Sequence, residues 1–221
     1  MAPSPSSKGC CKLAARKRPR ERTAGGKKAK PTILIVCEGE TELLYFKAIK
    51  SKFKARWIEV KQSDKPDPLG IVDCACRIEK ELKSKGLEVE TWVVLDAESK
   101  ADEVKRKYRD ALSKARGRHF NLANSSPCFE YWPLLHFTPG IIVTDPEQAS
   151  RELSKPERIN GYKKPKLPFD LLWEKYETRR PSAAAAKRRE CLLELGEDPV
   201  FGRPVTFVDT LVDSLCEINA R

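Results

Sequence analysis

Two short apolar runs without polar alternation constrain the fold of this chain most. They are Thr-Ile-Leu-Ile-Val-Cys at 32–37 and Thr-Trp-Val-Val-Leu at 91–95. Runs of this kind are typical of strands that are covered on both faces, as in a parallel sheet between layers of helices. An acidic residue follows each run directly, Glu38 after the first and Asp96 after the second. Because ligands gather at the carboxyl edge of a parallel sheet, we expect both carboxylates to face one crevice.

A third acidic position, Glu130, lies in the apolar segment Ser-Pro-Cys-Phe-Glu-Tyr-Trp at 126–132. The three acids together predict a metal site. Asp96-Ala-Glu98 strengthens this prediction, because residues two apart in an extended segment point the same way. Hard divalent cations such as Mg²⁺ prefer oxygen ligands, and such ions can bracket the reacting oxygens of a phosphodiester. An isolated Asp-x-Glu would be interpreted as a pair of turn acids.

Strand and helix patterns alternate through the first two thirds of the chain. Strand patterns at about 32–37, 57–61, 91–95 and 120–122 enclose helical patterns at 41–49, 69–85 and 101–116. This order predicts an α/β fold with a mainly parallel sheet flanked by helices. Turn residues predict a loop-rich insertion at about 140–166, and the patterns at 169–177, 182–195 and 205–219 predict a helical C-terminal extension. We therefore divide the chain into a leader (1–30), an α/β domain (31–139) and the insertion with the extension (140–221).

The net charge of +11 is concentrated at the N-terminus. Residues 1–30 contain ten lysines and arginines against the single Glu21, which leaves about +2 for the rest. We expect this leader to be disordered and able to attract nucleic-acid phosphates, although a merely solubilising tail fits equally well. The sequence contains neither a span for a bilayer nor a secretory signal, so we expect a cytoplasmic protein without a membrane partner.

The eight cysteines do not have the spacing of a zinc site. Cys74 and Cys76 form the one Cys-x-Cys in the sequence, and the chain contains just two histidines. We therefore expect reduced cysteines, with those in apolar segments buried as small hydrophobic side chains: Cys37, Cys128, Cys191 and Cys216.

Several motifs together resemble the family of RloB-like proteins, which is related to the Toprim domains of OLD-family nucleases, topoisomerases and primases. The resemblance covers most of the chain. It is carried by the motifs Ile-Leu-Ile-Val-Cys-Glu-Gly-Glu-Thr-Glu at 33–42, Trp-Val-Val-Leu-Asp-Ala-Glu at 92–98, Asn-Ser-Ser-Pro-Cys-Phe-Glu-Tyr-Trp-Pro-Leu-Leu-His-Phe at 124–137, Gly-Tyr-Lys-Lys at 161–164 and Pro-Val-Thr-Phe-Val-Asp-Thr-Leu-Val at 204–212.

The resemblance implies a Toprim-like fold, in which Glu38 matches a glutamate of acid/base chemistry and Asp96 begins an Asp-x-Asp-type metal motif. Glu98 departs from that motif, since it is one methylene longer than aspartate. Glu42 and Glu130 match acidic positions that would complete a second metal site in the OLD-like branch. From the residues alone, Glu42 fits equally well as a favourable acid in the first turn of a helix.

Three further residues are candidates for the site. His136 lies six residues after Glu130 and would serve as a proton donor or substrate contact, although a helix-packed histidine is the commoner case. Lys163 and Lys164 match a family feature, and lysines over an acidic metal centre suit the binding of nucleic-acid phosphates. For a second basic group on the C-terminal helices we expect a solvated helix face; its members are Arg179, Arg180, Lys187, Arg188 and Arg189.

The leading hypothesis is a Mg²⁺- or Mn²⁺-dependent nuclease acting on RNA or DNA. Its catalytic residues would be Glu38, Asp96 and His136, and its metal ligands would come from Glu38, Glu42, Asp96, Glu98 and Glu130. RloB-like proteins are associated with prokaryotic restriction and abortive-infection loci, so the resemblance also implies antiviral defence. The alternative is a non-catalytic subunit that binds a nucleotide or nucleic acid and signals to a partner protein of a defence system. Nucleotidyl transfer uses the same metal geometry, but no nucleotide-specific motif supports it.

Overall fold

A parallel sheet with helices on both faces forms the centre of the structure, a computed structural model that describes residues 30–97, 101–196 and 203–221. The elements of its first part are β1 (Thr32–Cys37), α1 (Glu40–Lys52), β2 (Ile58–Gln62), α2 (Pro68–Ser84), β3 (Val89–Val94), α3 (Asp102–Gly117) and β4 (Asn121–Leu122). The strands are hydrogen-bonded in the order β2-β1-β3-β4, and every pair is parallel. The predicted α/β fold is confirmed.

The second part of the chain is mainly helical. Its elements are β5 (Ser125–Ser126), α4 (Tyr131–Leu135), α5 (Pro146–Leu153), α6 (Phe169–Arg179), α7 (Pro181–Glu194), β6 (Val205–Thr206) and α8 (Val208–Ala220). Helices α6, α7 and α8 confirm the helical C-terminal extension. The leader predicted over 1–30 lies, except for Lys30, outside the described residues.

Two hydrophobic cores cover the two faces of the sheet. Ile33, Ile35 and Cys37 of β1 face α1 and the C-terminal extension, whereas Leu34 and Val36 face α2 and α3. All five side chains are fully buried. Complete burial on both faces explains why the strand is apolar at every one of these positions.

The structure adds two details to the prediction for the second part. The interval 140–166 contains a helix, α5, because the carboxylate of Asp145 accepts the N–H of Gln148 and Pro146 occupies the first helical position. These are helix-start signals, although the proline also fits a turn. The pattern at 205–219 begins with a strand: Val205 and Thr206 of β6 pair antiparallel with β5. This pairing ties the extension to the segment that follows the main sheet.

The basic group on the C-terminal helices is only partly a solvated face, contrary to expectation. Arg189 forms a two-pronged ion pair with Asp209 of α8, at 2.7 Å and 2.6 Å, and also donates to the carbonyl of Thr206. Asp209 is 3% exposed. The neighbouring Arg188 donates through Nε to the carbonyl of Pro204. Both arginines therefore hold α7 to the segment around β6.

No helix in the described ranges is long and apolar enough to span a membrane.

Breaking the Arg189–Asp209 pair should destabilise the fold strongly. Arg189→Ala leaves the buried Asp209 carboxylate without its counter-charge, so we expect a loss of about 3–5 kcal/mol in the free energy of unfolding. Urea denaturation followed by circular dichroism measures it. The control is Arg151→Ala, which removes an exposed pair with Glu147 at 3.9 Å and should change the free energy by less than about 1 kcal/mol. Equal losses for both variants would contradict the assigned role.

Candidate metal centre

The ends of β1 and β3 bring two of the predicted acids into contact. The two strands are parallel neighbours with Cys37 opposite Val94, so Glu38 and Asp96 emerge at the same edge of the sheet. The backbone N–H of Asp96 donates to Oε2 of Glu38 at 3.2 Å. Two half-buried acidic residues that are 58 positions apart in the chain thus lie side by side, joined through the backbone of Asp96, at the edge that the two apolar runs predicted.

Asp96 is held by backbone groups on two sides. Its carboxylate accepts the N–H of Phe129 through Oδ2 at 2.9 Å. Its main chain forms a parallel bridge with Ser125, and the N–H of Ala97 donates to the Ser125 carbonyl. The other carboxylate oxygen, Oδ1, is buried and has no hydrogen-bond partner among the described residues. These contacts therefore fix the orientation of the Asp96 side chain and leave one carboxylate oxygen without a hydrogen bond among the described residues.

Glu42 belongs to the same cluster rather than to the solvated surface. It is 4% exposed, although it lies in the first turn of α1. A Cβ atom on residue 39 would stand 2.6 Å from Oε2 of Glu42, so the carboxylate packs directly over the backbone of Gly39. A larger residue at position 39 would displace the carboxylate. Between the two interpretations of Glu42 left open by the sequence, the structure favours the inward one.

Burial and the neighbouring negative charges raise the pKa of Asp96 well above its usual range. Burial is the main cause, followed by the charges of Glu42 and Glu38, and Glu130 adds to them. The hydrogen bond from Phe129 acts in the opposite direction. A cation in this crevice would relieve the repulsion, because opposite charge favours the ionised form of a carboxyl group.

Glu130 lies beneath two side chains from the segment that follows α5. It is fully buried, and its Oε1 accepts the hydroxyl of Tyr162 at 3.1 Å and pairs with Nζ of Lys164 at 3.0 Å. The pKa of Lys164 is lowered by burial, but Glu130 outweighs this effect and raises it overall. Lys164 is thus the positive counterpart of the acidic cluster, although 48% of its side chain is exposed, and Lys163 is exposed as well.

His136 is not brought to the carboxylates by its contacts. Its Nδ1 lies 3.0 Å from the carbonyl of Trp132, so this nitrogen carries the proton and donates. The ring packs edge-on against Trp132 and tilted against Tyr176. Burial lowers its pKa to about 4, so the imidazole is neutral at physiological pH. These are the surroundings of a packing histidine, and its catalytic role stays a prediction.

Three groups near the cluster were missed as site residues by sequence reasoning. The Tyr108 hydroxyl is buried, and its pKa is raised first by burial and then by Asp96 and Glu38. Tyr162 reaches Glu130, and the backbone N–H of Phe129 reaches Asp96. Tyr108 follows the apolar spacing of α3 and therefore looks like a core residue. A backbone donor carries no sequence signal at all.

The predicted ligands are thus gathered but do not form a closed cage. Among the described residues, no three histidine, cysteine, aspartate or glutamate side chains are arranged as a ligand set for one metal ion. Glu98, predicted as a ligand, lies outside the described residues. What the structure places together is the contacting pair Glu38 and Asp96, with Glu42 and Glu130 close enough to act on Asp96.

The comparison with protein families gives a match that covers most of the chain. The family model of the RloB-like protein family matches residues 33–215. This range includes both strand ends, the segment around Glu130 and the loop with Lys164. The comparisons with curated proteins and with solved structures give no match.

The neutral buried imidazole of His136 should make stability depend on pH. The unfolded chain binds a proton near pH 6.5, whereas the folded chain does so only near pH 4, so the folded state loses stability as the pH falls between these values. We expect a contribution of about 3 kcal/mol over this range. Urea denaturation of the wild type and of His136→Asn at pH 7 and pH 4.5 measures it.

The difference in unfolding free energy between wild type and His136→Asn should shrink or change sign on acidification. His119→Asn is the matched control, since His119 is exposed. A difference for His136→Asn that is the same at both pH values would contradict the assignment.

Removing Lys164 should destabilise the protein more than removing its neighbour. Lys164→Gln leaves the fully buried Glu130 carboxylate without a counter-charge, which should cost about 1–3 kcal/mol. Lys163→Gln, at an exposed position, should be close to neutral. Thermal or urea unfolding compares the two. Recovery of stability in Lys164→Gln/Glu130→Gln would confirm the cause, and equal effects of Lys163 and Lys164 would contradict it.

Proposed function

The chain belongs to the family of RloB-like proteins, and from this premise we propose that it is a nuclease that hydrolyses RNA or DNA with Mg²⁺ or Mn²⁺. The observation that carries the proposal is the contact of Glu38 with Asp96 at the carboxyl ends of two buried parallel strands. Ligand and catalytic sites of parallel α/β sheets lie at this edge. Further carboxylates around Asp96 make the crevice attractive to a cation.

The residues present fit a hydrated divalent ion. Mg²⁺ keeps several water molecules and is commonly held by one or two carboxylates together with substrate phosphates. Glu38 and Asp96 would be these two ligands. Oδ1 of Asp96 has no hydrogen-bond partner among the described residues, so it is available as a metal ligand. When bound, such an ion would polarise the phosphoryl group and lower the pKa of a bound water.

The groups around Glu38 and Asp96 would have the remaining roles in the reaction. The N–H of Phe129 orients Asp96, and Gly39 lets Glu42 add negative charge. Glu38, which is half-buried at the crevice, would accept the proton of the attacking water. Lys164 is half-exposed, so its ammonium group would reach a substrate phosphate from above Glu130. Lys163, exposed beside it, would add a second phosphate contact.

The cellular role that we propose is antiviral defence. It rests on the association of RloB-like proteins with restriction and abortive-infection loci. Degradation of nucleic acid on infection would follow directly from the proposed chemistry.

A second candidate function is a non-catalytic subunit that binds a nucleotide or nucleic acid and signals to a defence partner. One observation favours it: Lys164 already supplies a positive charge to the cluster, at Glu130. An internal ammonium group reduces the need for a second metal ion. Binding of Mn²⁺ and nucleic acid without any cleavage would support this candidate over the nuclease.

A cleavage assay with matched variants tests the nuclease directly. Purified protein is incubated with mixed RNA and DNA, with Mg²⁺, with Mn²⁺ or with EDTA. We expect cleavage only with metal, and a loss of about 100-fold or more in Asp96→Asn and Glu38→Gln, because charge stabilisation by a metal contributes several kcal/mol. Glu40→Gln is the control, since Glu40 is the exposed neighbour of Glu38. Equal cleavage by wild type and Asp96→Asn would defeat the proposal.

A further inference from the structure

A concave basic surface lies on α1, away from the carboxylates themselves. This basic pocket has a volume of about 660 Å³ and is lined by Lys47, Lys50, Ser51, Lys54, Ala55, Arg56 and Glu59. Four of these seven residues are cationic. Lys47, Lys50 and Lys54 follow one another at spacings of three and four residues, which places them along one side of the helix and its end.

Most of this positive charge is not neutralised. Glu59 pairs with Lys50 at 3.8 Å. Lys47, Lys54 and Arg56 are exposed and have no acidic partner among the described residues. Positive charge in a concave surface concentrates the electrostatic field and attracts polyanions. A merely solubilising helix face would more commonly carry paired charges, as α2 does with Glu79–Lys83 and Glu81–Lys85.

The backbone at Lys54 is shaped to bring these cations together. Lys54 has a φ of 49°, in the left-handed region that favours glycine. The N–H of Ala55 consequently turns back to the carbonyl of Lys50, which sets Arg56 beside the end of α1. A lysine at such a position carries strain of about 1 kcal/mol that a glycine would avoid.

The pocket is connected to the metal centre through α1. The helix begins at Glu40, two residues after Glu38, and carries Lys47 two turns further on. The other cations follow toward the opposite edge of the sheet, where β2 begins with Ile58 opposite Ile33 of β1, so the pocket extends about 10–20 Å along the helix from its start. A nucleic-acid strand that runs from the crevice along α1 would therefore meet these positive charges in turn.

We propose that the basic pocket on α1 binds the phosphodiester backbone of the nucleic acid whose scissile bond lies at Glu38 and Asp96. This inference rests on the proposed function, since it assigns the path of that same substrate. An anionic membrane would be attracted by the same charges. The lining contains no aromatic or large aliphatic side chain to enter a bilayer, which favours a nucleic-acid backbone over a membrane.

Binding measured without cleavage tests the assignment. Full-length wild type and the triple variant Lys47→Gln/Lys54→Gln/Arg56→Gln are titrated in EDTA against fluorescent single-stranded RNA and DNA of about 20 nucleotides, longer than a typical single-strand site. The matched control is Lys80→Gln/Arg116→Gln/Arg118→Gln. It removes the same charge from exposed positions on α2 and α3, at the opposite face of the sheet.

We expect the α1 variant to bind at least about tenfold more weakly than the control variant, and the dependence of log K on log salt to fall by about 2, as for three lost single-strand phosphate contacts. Equal affinities of the two variants would overturn the inference. A second result would also overturn it: wild type binds vesicles rich in phosphatidylserine, and the α1 variant loses this binding but keeps its affinity for nucleic acid.

The outcome is separable from that of the proposed function. Weaker binding by the α1 variant together with no metal-dependent cleavage by the wild type would refute the nuclease and retain the binding surface. Metal-dependent cleavage with unchanged binding by the α1 variant would refute the binding surface and retain the nuclease.

Discussion

The repulsion between carboxylates at the end of a buried parallel sheet is the constraint on which the rest of this structure depends. Asp96 has Glu38 in contact and Glu42 and Glu130 nearby, in surroundings that exclude much of the solvent. Such an arrangement is unfavourable unless protons, hydrogen-bond donors or cations compensate for it. The fold supplies hydrogen-bond donors from distant segments of the chain. These donors stabilise negative charge in the crevice.

The compensating groups come from two distant segments of the chain. The N–H of Phe129 reaches Asp96, while Tyr162 and Lys164 reach Glu130 from the segment after α5. The position of α4 is in turn fixed by the hydrogen bond from Trp132 to Tyr45 of α1. The extension is tied in by the β5–β6 pairing and by Arg189 and Asp209. The mainly helical second half of the chain thus forms one side of the crevice, and the strand ends of the first half form the other.

The sheet could be predicted from the sequence because its cause is local. The buried parts of β1 and β3, at 33–37 and 91–94, require apolar runs, and the acid that follows each run marks the edge of the sheet. The helices flanking the sheet follow from periodicity in the same way.

Tertiary contacts explain what could not be predicted. The partner of Lys164 and the inward position of Arg189 depend on loops and helix packing that no spacing encodes. His136 was chosen for its chemistry, but its actual surroundings are Trp132 and Tyr176. The helix α5 was overlooked because Pro146 signals a turn as readily as a helix start.

The most direct test of this account is a crystal structure with Mn²⁺, located by its anomalous scattering. We predict an ion in the crevice between β1 and β3, with oxygens of Glu38 and Asp96 at about 2.0–2.2 Å, near the distances of hydrated Mg²⁺ sites. Manganese bound elsewhere under saturating conditions, with the Glu38–Asp96 contact unchanged, would contradict the claim that these strand ends form a metal centre.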